Sequence, residues 1–334
     1  MHQPVGNFEH VFREHVDEVY RPFLERVAGR GLLPITLHVS GPLLEWLEAN
    51  DSGYLDLVGR LVADGDAELL LSGRWEPILA ALPRRDRREQ VDAMREALRR
   101  RFGVEPTGLW LTERVWEPGL AADLAAAGVR YVLVDDRHLL VAGFERSELD
   151  RPFVTEADGR ALILLPIDER LRYLVPFRPP DETTSYLRER RAAGAPLAVL
   201  GDDGEKFGGW PDTREWVYGA GWLERFIDAL QASREAGEIR LVTTGEAAAL
   251  PPAGLAYPAG GSYREMEEWT LRRPRALRLE ALRAELGEDR LRGADGTLVR
   301  GGQWKEFFAK YPEANRMHKT MLALSTLCRE RGDP

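Results

Sequence analysis

A chain of 334 residues with a formal charge of −9 and a pI near 5.4 is long enough to bury one barrel-sized α/β core. Its acidity argues against nucleic acid or another polyanion as partner, because such partners select basic surfaces that release counterions. The single cysteine, Cys328, cannot form an intramolecular disulfide, no charged and apolar leader opens the chain, and no apolar run reaches the ~20 residues that span a bilayer; a cytoplasmic protein with no membrane partner is expected.

The chain opens on a polar, loop-like element, Met1-His2-Gln3-Pro4. Apolar runs of the kind that form buried strands follow at 33–39, 67–71, 108–112, 130–134, 161–165, 196–200 and 239–243. Amphipathic stretches at 54–63, 85–101, 120–127, 184–193 and 213–232 lie between them and read as helices. Continuous rather than alternating hydrophobicity implies a parallel sheet covered on both faces. Such β-α repetition closes most often into a barrel. The expected fold is therefore α/β, an incomplete (β/α) barrel over 1–260, with an open doubly wound sheet as the alternative. The repeat also calls for a strand ahead of the opening loop, so the first strand is expected to be missing. From 261 to 334 the pattern turns helical, through 272–286 and 303–331, and reads as a helical subdomain packed on the barrel; its last helix, through 322–327, is expected to stop in a charged tail.

Acidic residues recur where these strands end. The run at 196–200 leads into Leu200-Gly-Asp-Asp-Gly-Glu-Lys-Phe-Gly-Gly-Trp210, and carboxylates so crowded cannot all ionise cheaply; one is pushed toward holding a proton, which suits a general acid. Glu76, Glu113, Asp135 and Asp136 sit in the same relation to earlier strands. In a parallel barrel all of these converge on the catalytic rim. Helix caps and loop salt bridges would account for Glu76, Asp135 or Asp202 taken singly, but poorly for the set.

Tryptophans occupy the same loops: Trp75, Trp110, Trp116 and Trp210, with Trp304 in the helical region. Indole faces beside carboxylates suit a sugar polymer, whose rings stack while its hydroxyls bond. Trp46, Trp216 and Trp222 read as helix packing instead. His2, His38 and His138 show no metal-ligand spacing, and hydrogen bonding to a polyol explains them more simply. Neither a dinucleotide or P-loop glycine pattern nor a GxSxG elbow is present. No cofactor and no metal are expected.

Five segments together resemble glycoside hydrolase family 57: His2-Gln-Pro4, Trp75-Glu-Pro-Ile78, Trp110-Leu-Thr-Glu-Arg-Val-Trp-Glu-Pro118, Asp202-Asp-Gly-Glu-Lys-Phe-Gly208 and Trp304-Lys-Glu-Phe-Phe-Ala-Lys-Tyr-Pro-Glu-Ala-Asn315. They occur in the family's order and cover essentially the whole chain, and within the family they are most similar to the 4-α-glucanotransferases and α-amylases. The resemblance implies a (β/α)7 TIM-like barrel with a helical region, and retaining cleavage of α-1,4-glucan or maltooligosaccharide. It implies Glu113 as nucleophile and Asp203 as acid/base, with His2, Glu76, Trp110, Glu205, Trp210 and Trp304 contacting substrate. Family members place a strand and a second histidine ahead of the HQP element, and larger relatives continue into further helices and a β-sandwich. Branching enzymes of the family carry a cysteine near the nucleophile, where Thr112 and Arg114 stand here, so branching is not expected. The one protein partner expected is a second copy of the chain, in a homodimer. Two other classes of function compete: a degenerate glucan-binding protein, and a deacetylase-like metal hydrolase built on Asp135-Asp136-Arg137-His138.

Overall fold

The computed structural model describes residues 1–4, 6–287, 290, 291 and 294–332. The first five apolar runs carry strands: β1 (Ile35–Leu37), β2 (Ala67–Leu69), β3 (Gly108–Leu109), β4 (Tyr131–Asp135) and, after a hairpin partner β5 (Phe153–Ala157), β6 (Arg160–Ile167). β1 and β2 pair in parallel, a parallel bridge from Leu71 to Leu109 passes the sheet on to β3, and β3, β4 and β6 continue it in parallel. β5 lies antiparallel on the outer edge of β6. That hairpin went unread in the sequence although its turn is an Asp158-Gly159 pair with φ of 52° and 71°, the residues and backbone that a tight two-residue hairpin turn requires.

The expected strands at 196–200 and 239–243 carry no regular secondary structure and form no ladder. Pro196 offers no amide hydrogen to a neighbour, and the backbone bond that ties the first segment to the sheet runs from Asp168 N to Val199 O at 2.9 Å. Both segments nevertheless pack inward: Leu197, Val199 and Val242 join Leu70, Tyr131, Leu133, Leu165 and Ile167 in one apolar cluster. Gly108 makes room there, since a Cβ on it would lie 2.1 Å from the Tyr131 ring. The largest core cluster fills the space between the sheet and the helices Arg21–Gly29, Gly41–Asn50, Ser52–Ala63, Arg84–Phe102 and Leu120–Ala126.

Where helices differ from expectation, glycine and proline explain it. The stretch read as one helix over 213–232 is a wide turn, Glu215–Gly219, followed by the helix Trp222–Glu235, and the break falls at Gly221 with φ 67°, cheap only for glycine. The stretch at 303–331 divides into Glu306–Lys310 and Pro312–Arg331, because proline starts a helix readily but cannot sit inside one. That last helix ends at Arg331, the expected end of the helical stretch; residues 333 and 334 of the expected tail lie outside the described residues. Among the described residues no helix is long and apolar enough to cross a membrane.

One buried ion cluster joins two helices of the outer layer. Asp123, whose side chain is 1% exposed, accepts from Arg84 Nε at 2.8 Å, Arg87 Nη1 at 2.5 Å and Arg88 Nη2 at 3.1 Å. Burial alone would raise its pKa, but the arginines outweigh burial and hold it below the usual carboxylate range. Asp123→Ala would strand Arg87, and a loss of roughly 3 kcal/mol is expected, at the low end for a broken buried pair because Arg84 and Arg88 reach water. A depressed folded pKa stabilises fully above the unfolded carboxylate value near 4 and is lost as pH falls through the folded value. Urea unfolding should therefore show the gap between native protein and variant at pH 7 and its narrowing below about pH 4.

Candidate active site

The ends of the parallel strands bring the predicted carboxylates onto one arc. After β2, Glu76 adopts a left-handed backbone with φ 54°. It accepts from Thr112 Oγ1 at 2.9 Å and lies 3.2 Å from His38 Nε2 at the end of β1. Burial works to raise Glu76, yet the imidazole and the hydroxyl prevail and hold its pKa at about 2. Thr112 thus joins Glu76 to the next residue of the arc.

Glu113 follows β3 in a tight turn, Thr112–Arg114, and is exposed to solvent. Both Glu113 and Arg114 hold positive φ, 53° and 47°. Two successive side-chain-bearing residues in this region store strain of order 1–3 kcal/mol each, the kind found at functional sites. Tyr263 Oη donates to Glu113 Oε2 at 2.6 Å. Arg114 turns inward, 4% exposed, with Nε 3.6 Å from Asp135 Oδ2.

Arg172 then bridges Asp135, at 3.1 Å, to Asp202, at 3.4 Å, and Lys206 pairs with Asp202 as well. Asp202 is therefore occupied by two cations and also caps the Asp203 amide at 2.9 Å. Asp203 itself is left without an ion pair among the described residues. Burial raises its pKa, Arg114 opposes this, and the neighbouring Asp202 and Glu205 raise it further; the net direction is upward. Of the three carboxylates in the segment, Asp203 is the one disposed to hold a proton.

Glu205 behaves oppositely. Its burial is outweighed by the Met1 ammonium and by donors from Tyr20 and the His2 amide, so it stays below its ordinary pKa. The His2 amide donates to Glu205 Oε1 at 2.8 Å, and the Tyr20 hydroxyl donates to the same oxygen. His2 thus meets Glu205 through its backbone, while its exposed imidazole lies within electrostatic reach of Glu76, His38 and Glu205. Tyr20 is aimed by a helical turn one residue wider than usual, Val16–Tyr20, a bulge common at functional sites. A cavity of about 1070 Å³ opens beside these groups, lined by His2, Trp110, Asp202, Asp203 and Glu205 and floored by apolar residues such as Ile35 and Leu197.

The aromatic residues divide. Trp110 stacks with His38 at 6.3 Å between ring centres and has the Arg114 guanidinium 5.8 Å away. Trp210 is 40% exposed, stacks with Phe177 at 6.0 Å and has the Lys206 ammonium over its ring, 5.3 Å from the centre. Trp304, expected against substrate, is instead 3% exposed. It packs with Val115, Tyr263 and Met266 while its indole nitrogen donates to Glu117 at 2.8 Å; it stands in the turn ahead of the helix Glu306–Lys310, where the local sequence gives no sign of which neighbours cover it. The Asp135-Asp136-Arg137-His138 cluster does not gather as a metal site. Asp135 serves Arg114 and Arg172, Asp136 accepts from Arg146 at 2.8 Å, and His138 turns to the Asp135 carbonyl at 2.9 Å.

Tyr20, Arg114, Arg172, Lys206 and Tyr263 complete the arc without having been singled out in the sequence. Arg114 and Lys206 lie inside the two carboxylate motifs, so their spacing was a usable signal. The others arrive from distant segments.

The sequence pattern of Glycosyl hydrolase family 57 matches residues 3–257. Over 331 residues the chain is 44% identical to the 4-alpha-glucanotransferase of Thermococcus litoralis, an alignment covering 98% of this chain and 50% of that protein. It is 45% identical over 330 residues to the Alpha-amylase of Pyrococcus abyssi, with the same coverage of 98% and 50%. The crystal structure of the Thermococcus litoralis 4-alpha-glucanotransferase superposes with a TM-score of 0.92 at 43% identity, covering 98% of this chain and 51% of that one. A putative polysaccharide deacetylase from Mycobacterium smegmatis shares only the fold, with a TM-score of 0.52 and 19% identity over 74% of this chain and 84% of that one. The chain spans about half the length of the curated relatives it matches. With that pattern over most of its length and such identity beyond it, the chain belongs to glycosyl hydrolase family 57.

Proposed function

We propose that this chain carries the catalytic site of a 4-α-glucanotransferase that acts on α-1,4-glucans and maltooligosaccharides with retention of configuration. The reading rests on one observation above the others: Tyr263, which donates to the solvent-exposed Glu113 at 2.6 Å and holds the Arg114 guanidinium 4.4 Å from its ring centre, lies within electrostatic reach of Asp203, whose proton affinity is raised. In a barrel divided into 1–260 and a helical region from 261, these two carboxylates would face each other across the rim. Retention requires them about 5–5.5 Å apart.

Two displacements would follow. Glu113 attacks the anomeric carbon while Asp203 gives its proton to the departing glycosidic oxygen, and a glycosyl ester forms on Glu113. Asp203, now a carboxylate, then takes the proton of an acceptor 4-hydroxyl; that oxygen attacks the anomeric carbon and Glu113 leaves. Water in place of the acceptor gives hydrolysis, the α-amylase reading. Glu76, held ionised, and Glu205 would bind sugar hydroxyls beside His2, and Trp110 and Trp210 would stack on sugar rings. The lone cysteine suits a reducing cytoplasm.

Incubation with maltotriose followed by chromatography tests this. Transfer yields a ladder of shorter and longer oligosaccharides, whereas glucose and maltose alone mean hydrolysis. An unchanged trisaccharide that still binds would overturn the enzymatic reading in favour of a glucan-binding protein.

A further inference from the structure

The strained turn at Glu113 and Arg114 persists only if its surroundings over-determine it. Beside the Glu76 and Asp135 contacts of Thr112 and Arg114, one short strap restrains it, residues 261–263, just ahead of the helix Arg264–Trp269. Trp116 and Gly261 exchange two backbone hydrogen bonds of 2.9 and 3.0 Å, which fixes the strap against the turn. Ser262 Oγ donates to the Glu113 carbonyl at 2.5 Å, and Tyr263 Oη donates to Glu113 Oε2 at 2.6 Å. The Arg114 guanidinium lies 4.4 Å from the centre of the Tyr263 ring. Main chain, carboxylate and following side chain are thus all gripped by three consecutive residues.

Tyr263 is itself held. It is 9% exposed, and Trp269 meets its ring edge-on at 6.0 Å. Burial and the adjoining Glu113 carboxylate raise its phenol well above the ordinary value, so the hydroxyl keeps its proton and acts as donor. Among the described residues Glu113 Oε1 accepts no hydrogen bond.

We infer that Tyr263 is the positioning residue of the Glu113 carboxylate: its hydroxyl fixes Oε2 and so presents Oε1 to the anomeric carbon. The inference rests on the nucleophile role proposed above for Glu113. The same hydrogen bond acts twice. In the first displacement it orients the attacking oxygen. In the second, when the bond from Oε1 to the anomeric carbon breaks and its electron pair returns to Glu113, the donor stabilises the carboxylate that forms. The strap also makes the start of the helical region part of the site, since Tyr263 packs with Met266 and Trp304.

Tyr263→Phe removes the hydroxyl and keeps the ring for Arg114 and Trp269. The expected result is a kcat for maltotriose disproportionation lower by roughly 10- to 100-fold, somewhat less than the loss of an oxyanion donor, with KM within about twofold. The same fractional loss should appear with α-glucosyl fluoride, because the missing bond acts on Glu113 and not on the departing group. Ser262→Ala, a milder change on the same strap, should lower kcat severalfold with KM unmoved. Thermal melting of both variants separates positioning from stability. An unchanged kcat in both variants, a loss confined to KM, or a loss that disappears with the fluoride overturns the proposal. If the native protein turns over neither maltotriose nor the fluoride, the functional reading fails and Tyr263's role falls with it; if the native protein is active and Tyr263→Phe equals it, only the positioning role falls.

Discussion

Glu113→Gln is expected to cut turnover of maltotriose by roughly 10⁴-fold or more while leaving the fold intact, because a nucleophile has no substitute in a double displacement. The fold should survive for a local reason. Glu113 is solvent-exposed and its named side-chain contact is the hydrogen bond from Tyr263, which a glutamine oxygen can still accept. Melting temperature should move little, and calorimetry should show maltotriose still bound. A sharper version uses Glu113→Gly with added azide. Azide occupying the emptied space attacks the anomeric carbon from the face that Glu113 used, and an α-linked donor such as α-glucosyl fluoride must then give the β-glycosyl azide. Turnover above a tenth of native, or an azide product of α configuration, removes Glu113 from the nucleophile role.

The placement of particular residues shows where sequence sufficed. Glu76, Glu113 and the Asp202 to Glu205 segment were legible because each follows an apolar run, and strand ends place side chains on a rim regardless of what else packs nearby. Choosing among Asp202, Asp203 and Glu205 needed more. The structure separates them by partners: Asp202 takes Lys206 and Arg172, Glu205 takes Tyr20 and the His2 amide, and Asp203 is left with burial. Tyr263 and Tyr20 were illegible because nothing local marks a tyrosine whose partner stands 150 or 185 positions away. The burial of Trp304 was illegible for the same reason: it is set by Val115 and Met266, which lie far from it in the sequence. The runs at 196–200 and 239–243 reveal a different limit. Apolar character reported correctly that they face inward, but ladder formation depends on a neighbour's backbone, which hydrophobicity does not encode.

Asp203→Asn should lower kcat on natural glucans by about 10²- to 10⁴-fold, the range for a positioned general acid, and the pattern of that loss across substrates is diagnostic. An oxygen leaving group needs a proton; fluoride does not. With α-glucosyl fluoride the first displacement should recover most of its rate in Asp203→Ala, leaving the glycosyl ester to accumulate for want of a base. Azide, which needs no base, should then relieve the second step and yield the α-glycosyl azide, opposite to the product expected from Glu113→Gly. The pH dependence carries an independent check. Asp203 is raised by burial and by Asp202 and Glu205 against the pull of Arg114, and it must be protonated when the glycosidic bond breaks, so kcat/KM should fall on the alkaline side as pH passes its elevated pKa. Glu205→Gln removes one of the negative charges that raise it. The ionised form becomes less costly, the pKa drops, and the alkaline limb should move to lower pH. A limb that stays put, or moves upward, would show that the titrating proton belongs to a group other than Asp203.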